Sequence, residues 1–144
     1  MPEIKTARWM QRLDTYQKAL SRLKELFDLS RERALCGIEI DALIQRFEFT
    51  YEMAWKLMMS YEKENGLEQI RGSRDIIREA YRFGLIENVD AWFNMVDTRN
   101  KTVHNYDEEM ALNAVDVILY DYYPLLEDLR AKCEEVKQEV LQKA

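Results

Sequence analysis

Apolar side chains return every three or four residues along most of this chain, the period of one face of a helix. Leu13, Tyr16, Leu20, Leu23 and Phe27 form the first such stripe, and Thr6 stands ahead of it as an N-cap. After a break at Gly37, the spacing resumes in Ile44, Phe47, Tyr51, Ala54, Met58 and Tyr61. This predicts a long second helix from Asp41 to about Asn65, stopped by Gly66 and widened on its apolar side by Leu43, Trp55 and Met59. The aromatic run Phe47, Phe49, Tyr51 and Trp55 reads as core.

Ser73 is placed to cap a shorter third helix that ends at Phe83-Gly84. Arg74, Arg78 and Arg82 lie four apart on one side of it and form the chain's basic stripe. Its plain reading is a solvated face with ion pairs to Asp75 and Glu79; its functional reading is contact with RNA or an acidic partner. A fourth helix begins near Asn88, with Val89, Trp92, Val96, Arg99 and Val103 in phase. Asp107 caps a fifth, whose stripe Ala111, Val115, Ile118, Tyr122, Leu125 and Leu129 crosses Pro124. A new helix would have no reason to keep that register, so one helix kinked at the proline is predicted. The fold expected is all-α, an antiparallel four-helix up-and-down bundle with one additional short helix, and a single domain over residues 1–144.

Composition narrows the function. A chain of 144 residues with four glycines and two prolines is long enough for one core and has few places to turn. Cys36 and Cys133 form no CxxC pair and the chain has a single histidine, so neither a zinc site nor another bound metal is expected. No stretch is apolar enough to span a membrane, and the N-terminus reads as charged, without a signal-peptide core; the expected location is cytoplasmic. The net charge of −6 lies wholly in residues 107–144, which carry ten acids against four Lys or Arg. That balance argues against broad, non-specific nucleic-acid binding. No Gly-rich phosphate loop is present and no cofactor is expected.

The anomaly is Arg99, which occupies a core position of the fourth stripe. A buried guanidinium needs a partner. Glu48 is the better internal one, since Glu52 is placed to pair with Lys56; a carboxylate of a second subunit or a phosphate would also serve. Five residues on comes His104. On a continuous helix that interval is about 140° of rotation, so the two side chains diverge. They converge only if the chain leaves the helix between them or if two copies of the site face each other. Tyr106 sits at the same junction, its hydroxyl expected to be exposed. An imidazole beside a fixed guanidinium can cleave RNA without a metal: the base takes the ribose 2′-hydroxyl proton while the cation holds the phosphate.

The run Arg99-Asn100-Lys101-Thr102-Val103-His104-Asn105-Tyr106 resembles the RX4HXY signature of the HEPN superfamily. The segment Phe47-Glu48-Phe49-Thr50-Tyr51-Glu52-Met53-Ala54-Trp55-Lys56 is similar to helix two of its nucleotidyltransferase substrate-binding-protein branch, related to HepT-like toxins. The resemblance implies a homodimeric helical bundle paired with a separately encoded minimal nucleotidyltransferase. It makes Arg99 and His104 the catalytic pair of a metal-independent endoribonuclease, Asn100 a supporting polar residue, and Tyr106 the hydroxyl that the transferase adenylylates. It also leaves open a non-catalytic subunit that docks the transferase and holds its substrate.

Overall fold

In a computed structural model of the protein, residues 7–104 and 106–143 are described, and among them there is no strand. Helix α1 spans Arg8–Ser30, α2 Gly37–Glu64, α3 Ser73–Arg82, α4 Val89–His104, α5 Glu108–Asp116 and α6 Tyr123–Lys143; a π-helical segment, Val117–Tyr122, joins the last two into one rod. The all-helical class therefore holds, with four long rods and one short helix among the described residues.

Contacts between named residues give the directions. Arg8 and Trp9, at the start of α1, meet Glu64 at the end of α2. Tyr16 donates to the Leu126 carbonyl, and Phe27 stacks on Tyr123, so α1 runs opposite to α6. Glu48 meets Thr102 while Tyr51 lies against Arg99, so α2 runs opposite to α4. Helix α2 is the central element, packed against α1, α3, α4 and α5. Its fully buried face carries Leu43, Ile44, Phe47, Tyr51, Leu57 and Met58.

Several ends differ from the sequence expectation. The expected Thr6 cap lies outside the described residues. The first amides of α1, those of Arg8 and Trp9, donate to the Glu64 carboxylate at 2.9 and 2.8 Å, so an acid distant in sequence meets the positive end of the helix dipole. Glu64→Ala is expected to cost about 1–2 kcal/mol, the size of a lost N-cap, read as a lower urea midpoint at unchanged slope.

Helix α2 starts at Gly37 rather than Asp41. Glu39 accepts from the Cys36 amide at 2.8 Å and holds Arg33 in a two-bond pair, so the first turn is closed before Asp41 is reached. That arginine, with the backbone bond, holds the Glu39 carboxyl down at about 2. The residue before α3 is Gly72, with φ of 153°, and Ser73 is already helical and makes no cap bond. At the α2 end Gly66 takes φ of 103°, which lets the Leu67 amide reach back to the Glu62 carbonyl, as the sequence suggested.

The chain passes Pro124 as one rod, as expected, through a π-helical segment that ends just before the proline. Proline cannot donate to the residue four back, and its ring crowds that carbonyl; a widened turn immediately before it removes the clash without ending the helix. The extra residue per turn also shifts the face. Beyond the segment Leu126 is buried where Leu125 was expected, while Ile118, Tyr122 and Leu129 stay in the core; ahead of it, within α5, Ala114 rather than Val115 is buried. Phe49, expected in the core with its aromatic neighbours, is 50% exposed. It lies two residues from both Phe47 and Tyr51, which puts it on the far side of the helix.

Candidate functional site

The candidate residues Arg99, Asn100 and His104 lie on α4, which determines how they face. Its buried positions are Trp92, Met95, Val96 and Thr102. Val103, expected to continue the stripe, is 47% exposed, because the face that meets α2 advances to Thr102. Asn88 starts the helix by accepting from the Ala91 amide.

Arg99 does stand in the seam. It is half-buried, its guanidinium carbon is 5.7 Å from the centre of the Tyr51 ring, and its Nε is buried with no hydrogen-bond partner among the described residues. Burial pushes the Tyr51 hydroxyl up to about 12, and the nearby guanidinium opposes that rise.

The expected Arg99–Glu48 pair does not form. Thr102, 2% exposed, donates its hydroxyl to Glu48 at 2.9 Å and also lies 3.0 Å from the Arg99 carbonyl. A buried threonine hydroxyl needs an acceptor, and Glu48 supplies it from across the seam. Glu52 pairs with Lys56 at 3.3 Å, as expected. The remaining polar contact of Arg99 is a long one, 3.4 Å from Nη1 to the Asn100 side-chain oxygen, so the structure brings Arg99 and Asn100 together only at the edge of hydrogen bonding.

Helix α4 runs unbroken through residues 99 to 104, so the suggestion that the chain leaves the helix between Arg99 and His104 is not realised. His104 is exposed on the last turn. The two side chains therefore project about 140° apart within one chain. Asn105 lies outside the described residues.

Tyr106 is 47% exposed, yet its hydroxyl is engaged: it donates to the carboxylate of Asp41 on the first turns of α2. That carboxylate pushes the phenol up to about 12. Sequence reasoning missed Asp41 in this role because 65 residues separate the two, and only the packing of α2 against the α4–α5 corner joins them.

The arginine stripe of α3 is where the pattern placed it, and it is paired. Arg78 meets Asp75 at 3.6 Å and Arg82 meets Glu79 at 3.2 Å, both as expected; Arg74 meets Asp97 of α4 at 3.0 Å. Arg74 and Arg78 also lie over the Phe93 ring, at 4.7 and 5.3 Å from its centre. The stripe is thus largely neutralised and partly occupied in holding α3 to α4.

One further anomaly went unread in the sequence. Glu62 of α2 is fully buried, and neither carboxylate oxygen has a hydrogen-bond partner among the described residues. Burial, aided by the nearby acids Glu79 and Asp75 of α3, pushes its carboxyl up to about 8. Among the described residues no group of His, Cys, Asp and Glu could hold a metal, and no helix is long and apolar enough to cross a membrane.

Residues 11–135 match the family model described as nucleotidyltransferase substrate binding protein like. A Haemophilus influenzae protein named "Probable ribonuclease HepT" is 38% identical over 100 residues, covering 65% of this chain and 68% of the relative. A crystal structure from Thermus thermophilus superimposes with a TM-score of 0.70 at 38% identity, covering 81% of this chain and 97% of that one. A structure from Haemophilus influenzae, described as revealing the fold of a substrate binding domain of a nucleotidyltransferase, superimposes with a TM-score of 0.68 at 32% identity, covering 82% of this chain and 98% of that one.

Proposed function

Because the chain belongs to the nucleotidyltransferase substrate-binding-protein-like family, within the HepT-like group, we propose that it is the toxin subunit of a two-component system. It acts as an endoribonuclease with Arg99 and His104 as its catalytic pair, and a minimal nucleotidyltransferase restrains it by adenylylating Tyr106. The observation that carries this reading is the guanidinium of Arg99, which has no carboxylate partner among the described residues. It is held in a seam between helices, against an aromatic ring, while Glu48 and Glu52 are engaged elsewhere. A cation fixed in this way is suited to an anion brought from outside, and a phosphodiester is such an anion.

The reaction uses the substrate's own nucleophile. The His104 imidazole takes the 2′-hydroxyl proton, O2′ attacks the adjacent phosphorus, and the bond to the 5′-oxygen breaks; one product ends in a 2′,3′-cyclic phosphate, and the departing oxygen takes a proton from solvent to leave a 5′-hydroxyl. Arg99 holds the phosphate and offsets the charge that gathers on its oxygens. No activated water is involved in this step, so the chemistry asks for no metal. Since α4 keeps the two side chains apart within one chain, the proposal includes a homodimer in which one copy supplies Arg99 and the other His104. Asn100 helps to orient the guanidinium, while Glu48 acts indirectly, by fixing Thr102 and so the last turn of α4.

A second reading is favoured by that same divergence and by the description of the Haemophilus structure. In it, the chain is a non-catalytic subunit that presents substrate to the transferase, with Arg99 as its anion anchor. The test is cleavage of end-labelled RNA by the purified protein in excess EDTA. The first reading expects cyclic-phosphate ends; intact RNA, with loss of transferase activity when this chain is removed, would establish the second. The arginines of α3 would contribute only at the rim of an RNA site. Arg82→Ala is expected to change RNA affinity by less than about fivefold, the scale of an exposed ion pair.

A further inference from the structure

Asp41 and Tyr106 stand where two open grooves meet. One, of about 500 Å³, continues along Gln45, Glu48 and Thr102; the other, of about 470 Å³, along Ile38, Glu108 and Leu112, and both residues belong to each. Grooves of this size accept a nucleotide. The hydroxyl of Tyr106 is not free in this open place, since the Asp41 carboxylate accepts its proton in a hydrogen bond.

We propose that Asp41 positions Tyr106 and accepts its proton when the hydroxyl attacks the α-phosphorus of a nucleoside triphosphate. The inference rests on Tyr106 being the modified residue. In the step, the tyrosine oxygen forms a bond to the α-phosphorus and the bond from that phosphorus to the bridging oxygen of the β-phosphate breaks. Pyrophosphate leaves, and the phenolic proton passes to the Asp41 carboxylate. A nucleoside monophosphate then remains on Tyr106 as a phosphodiester.

The geometry calls for such an acceptor. A free phenol, with a pKa of about 10, is already a poor nucleophile at neutral pH, and one that donates to a carboxylate ionises still less readily. Asp41 therefore cannot act by leaving a phenolate in waiting. It acts by taking the proton as the bond to phosphorus forms, which is general-base catalysis by the acceptor protein itself. Among the described residues, the charged groups that line the two grooves are Asp41 and Glu48 from α2 and Glu108 from α5, and none is a Lys or Arg. The triphosphate's charge must consequently be met by the transferase. This chain supplies the nucleophile and its base, and the transferase supplies the nucleotide.

The test incubates the purified chain with the nucleotidyltransferase encoded beside it, Mg²⁺ and ATP labelled at the α-phosphate, and follows label on Tyr106 across pH. Wild type is expected to be labelled and Tyr106→Phe to remain blank. Asp41→Asn is expected to be labelled about 10²-fold more slowly, or worse, and to lose the fall in rate at acid pH, while Asp41→Glu keeps the pH profile. Equal labelling of Asp41→Asn and wild type, with matching pH profiles, would overturn the role of Asp41 alone. An unlabelled wild-type chain would overturn the modification of Tyr106, and the inference with it. Melting curves accompany each variant, and if Asp41→Asn melts early, Asp41→Ser takes its place under the same criteria.

Discussion

His104→Ala is expected to lose RNA cleavage by about 10²- to 10⁴-fold, the range over which a positioned general base contributes. Because His104 is exposed, the variant should melt within about 0.5 kcal/mol of wild type. Arg99→Ala is expected to lose activity to a similar degree for a different reason. It removes the phosphate's counter-charge, and a fixed donor at a transition state is worth about 2.7–4 kcal/mol. Arg99→Lys should not restore it, since a lysine cannot lie flat over the Tyr51 ring and still present two parallel donors. Gel assays of end-labelled RNA with parallel melting curves check both. Full activity in either alanine variant would remove that residue from the mechanism.

The second large effect is on stability, and it comes from Glu62. Its carboxyl titrates near 8 in the folded protein against 4.5 in the free side chain, so the folded state holds a proton that the unfolded state releases. The sign follows from linkage. A raised pKa gives stability that is fully present below pH 4.5 and is lost as pH rises through 8. Across that window the loss approaches about 1.4 kcal/mol per pH unit and totals a few kcal/mol. Glu62→Gln, which keeps the shape without the titrating proton, should flatten the dependence and melt higher than wild type above pH 8. Urea melts at several pH values measure this. A variant and wild type with parallel pH profiles would show that Glu62 is not the group responsible.

Glu62 also shows how far the sequence could be read. It lies four residues after Met58, in phase with the buried face of α2, so it is the same kind of anomaly as Arg99: a charge at a core position. Arg99 stood out because it replaces a core residue within its stripe, whereas the stripe of the second helix closes on Tyr61 and leaves the neighbouring Glu62 unmarked. The helices themselves were legible because three–four periodicity reflects burial directly, as Leu13, Tyr16, Leu20 and Leu23 confirm. The intrahelical ion pairs of Arg78, Arg82 and Lys56 were legible for a similar reason, since three- and four-residue spacing alone sets them.

What the sequence concealed depends on which helices meet. Glu48 faces Thr102 rather than Arg99 because the α2–α4 register places the buried hydroxyl nearest to it, and no local spacing encodes that register. The Asp41–Tyr106 bond and the Glu64 cap on α1 are likewise products of packing between distant segments. At Pro124 the apolar pattern correctly indicated one continuous rod but not how it accommodates the proline. The π-helical turn then re-aims the face beyond it, from Leu125 to Leu126.

The α4 geometry leads to one decisive measurement. An unbroken helix directs the Arg99 and His104 of one chain about 140° apart, so the proposed site draws one residue from each of two copies. Arg99→Ala and His104→Ala chains, each inactive alone, are co-expressed and the mixed protein is assayed for RNA cleavage. In a mixed dimer one of the two composite sites retains both residues, so random pairing is expected to restore about a quarter of wild-type activity. A mixture as inactive as its components, beside a wild-type protein that cleaves, would contradict the shared site.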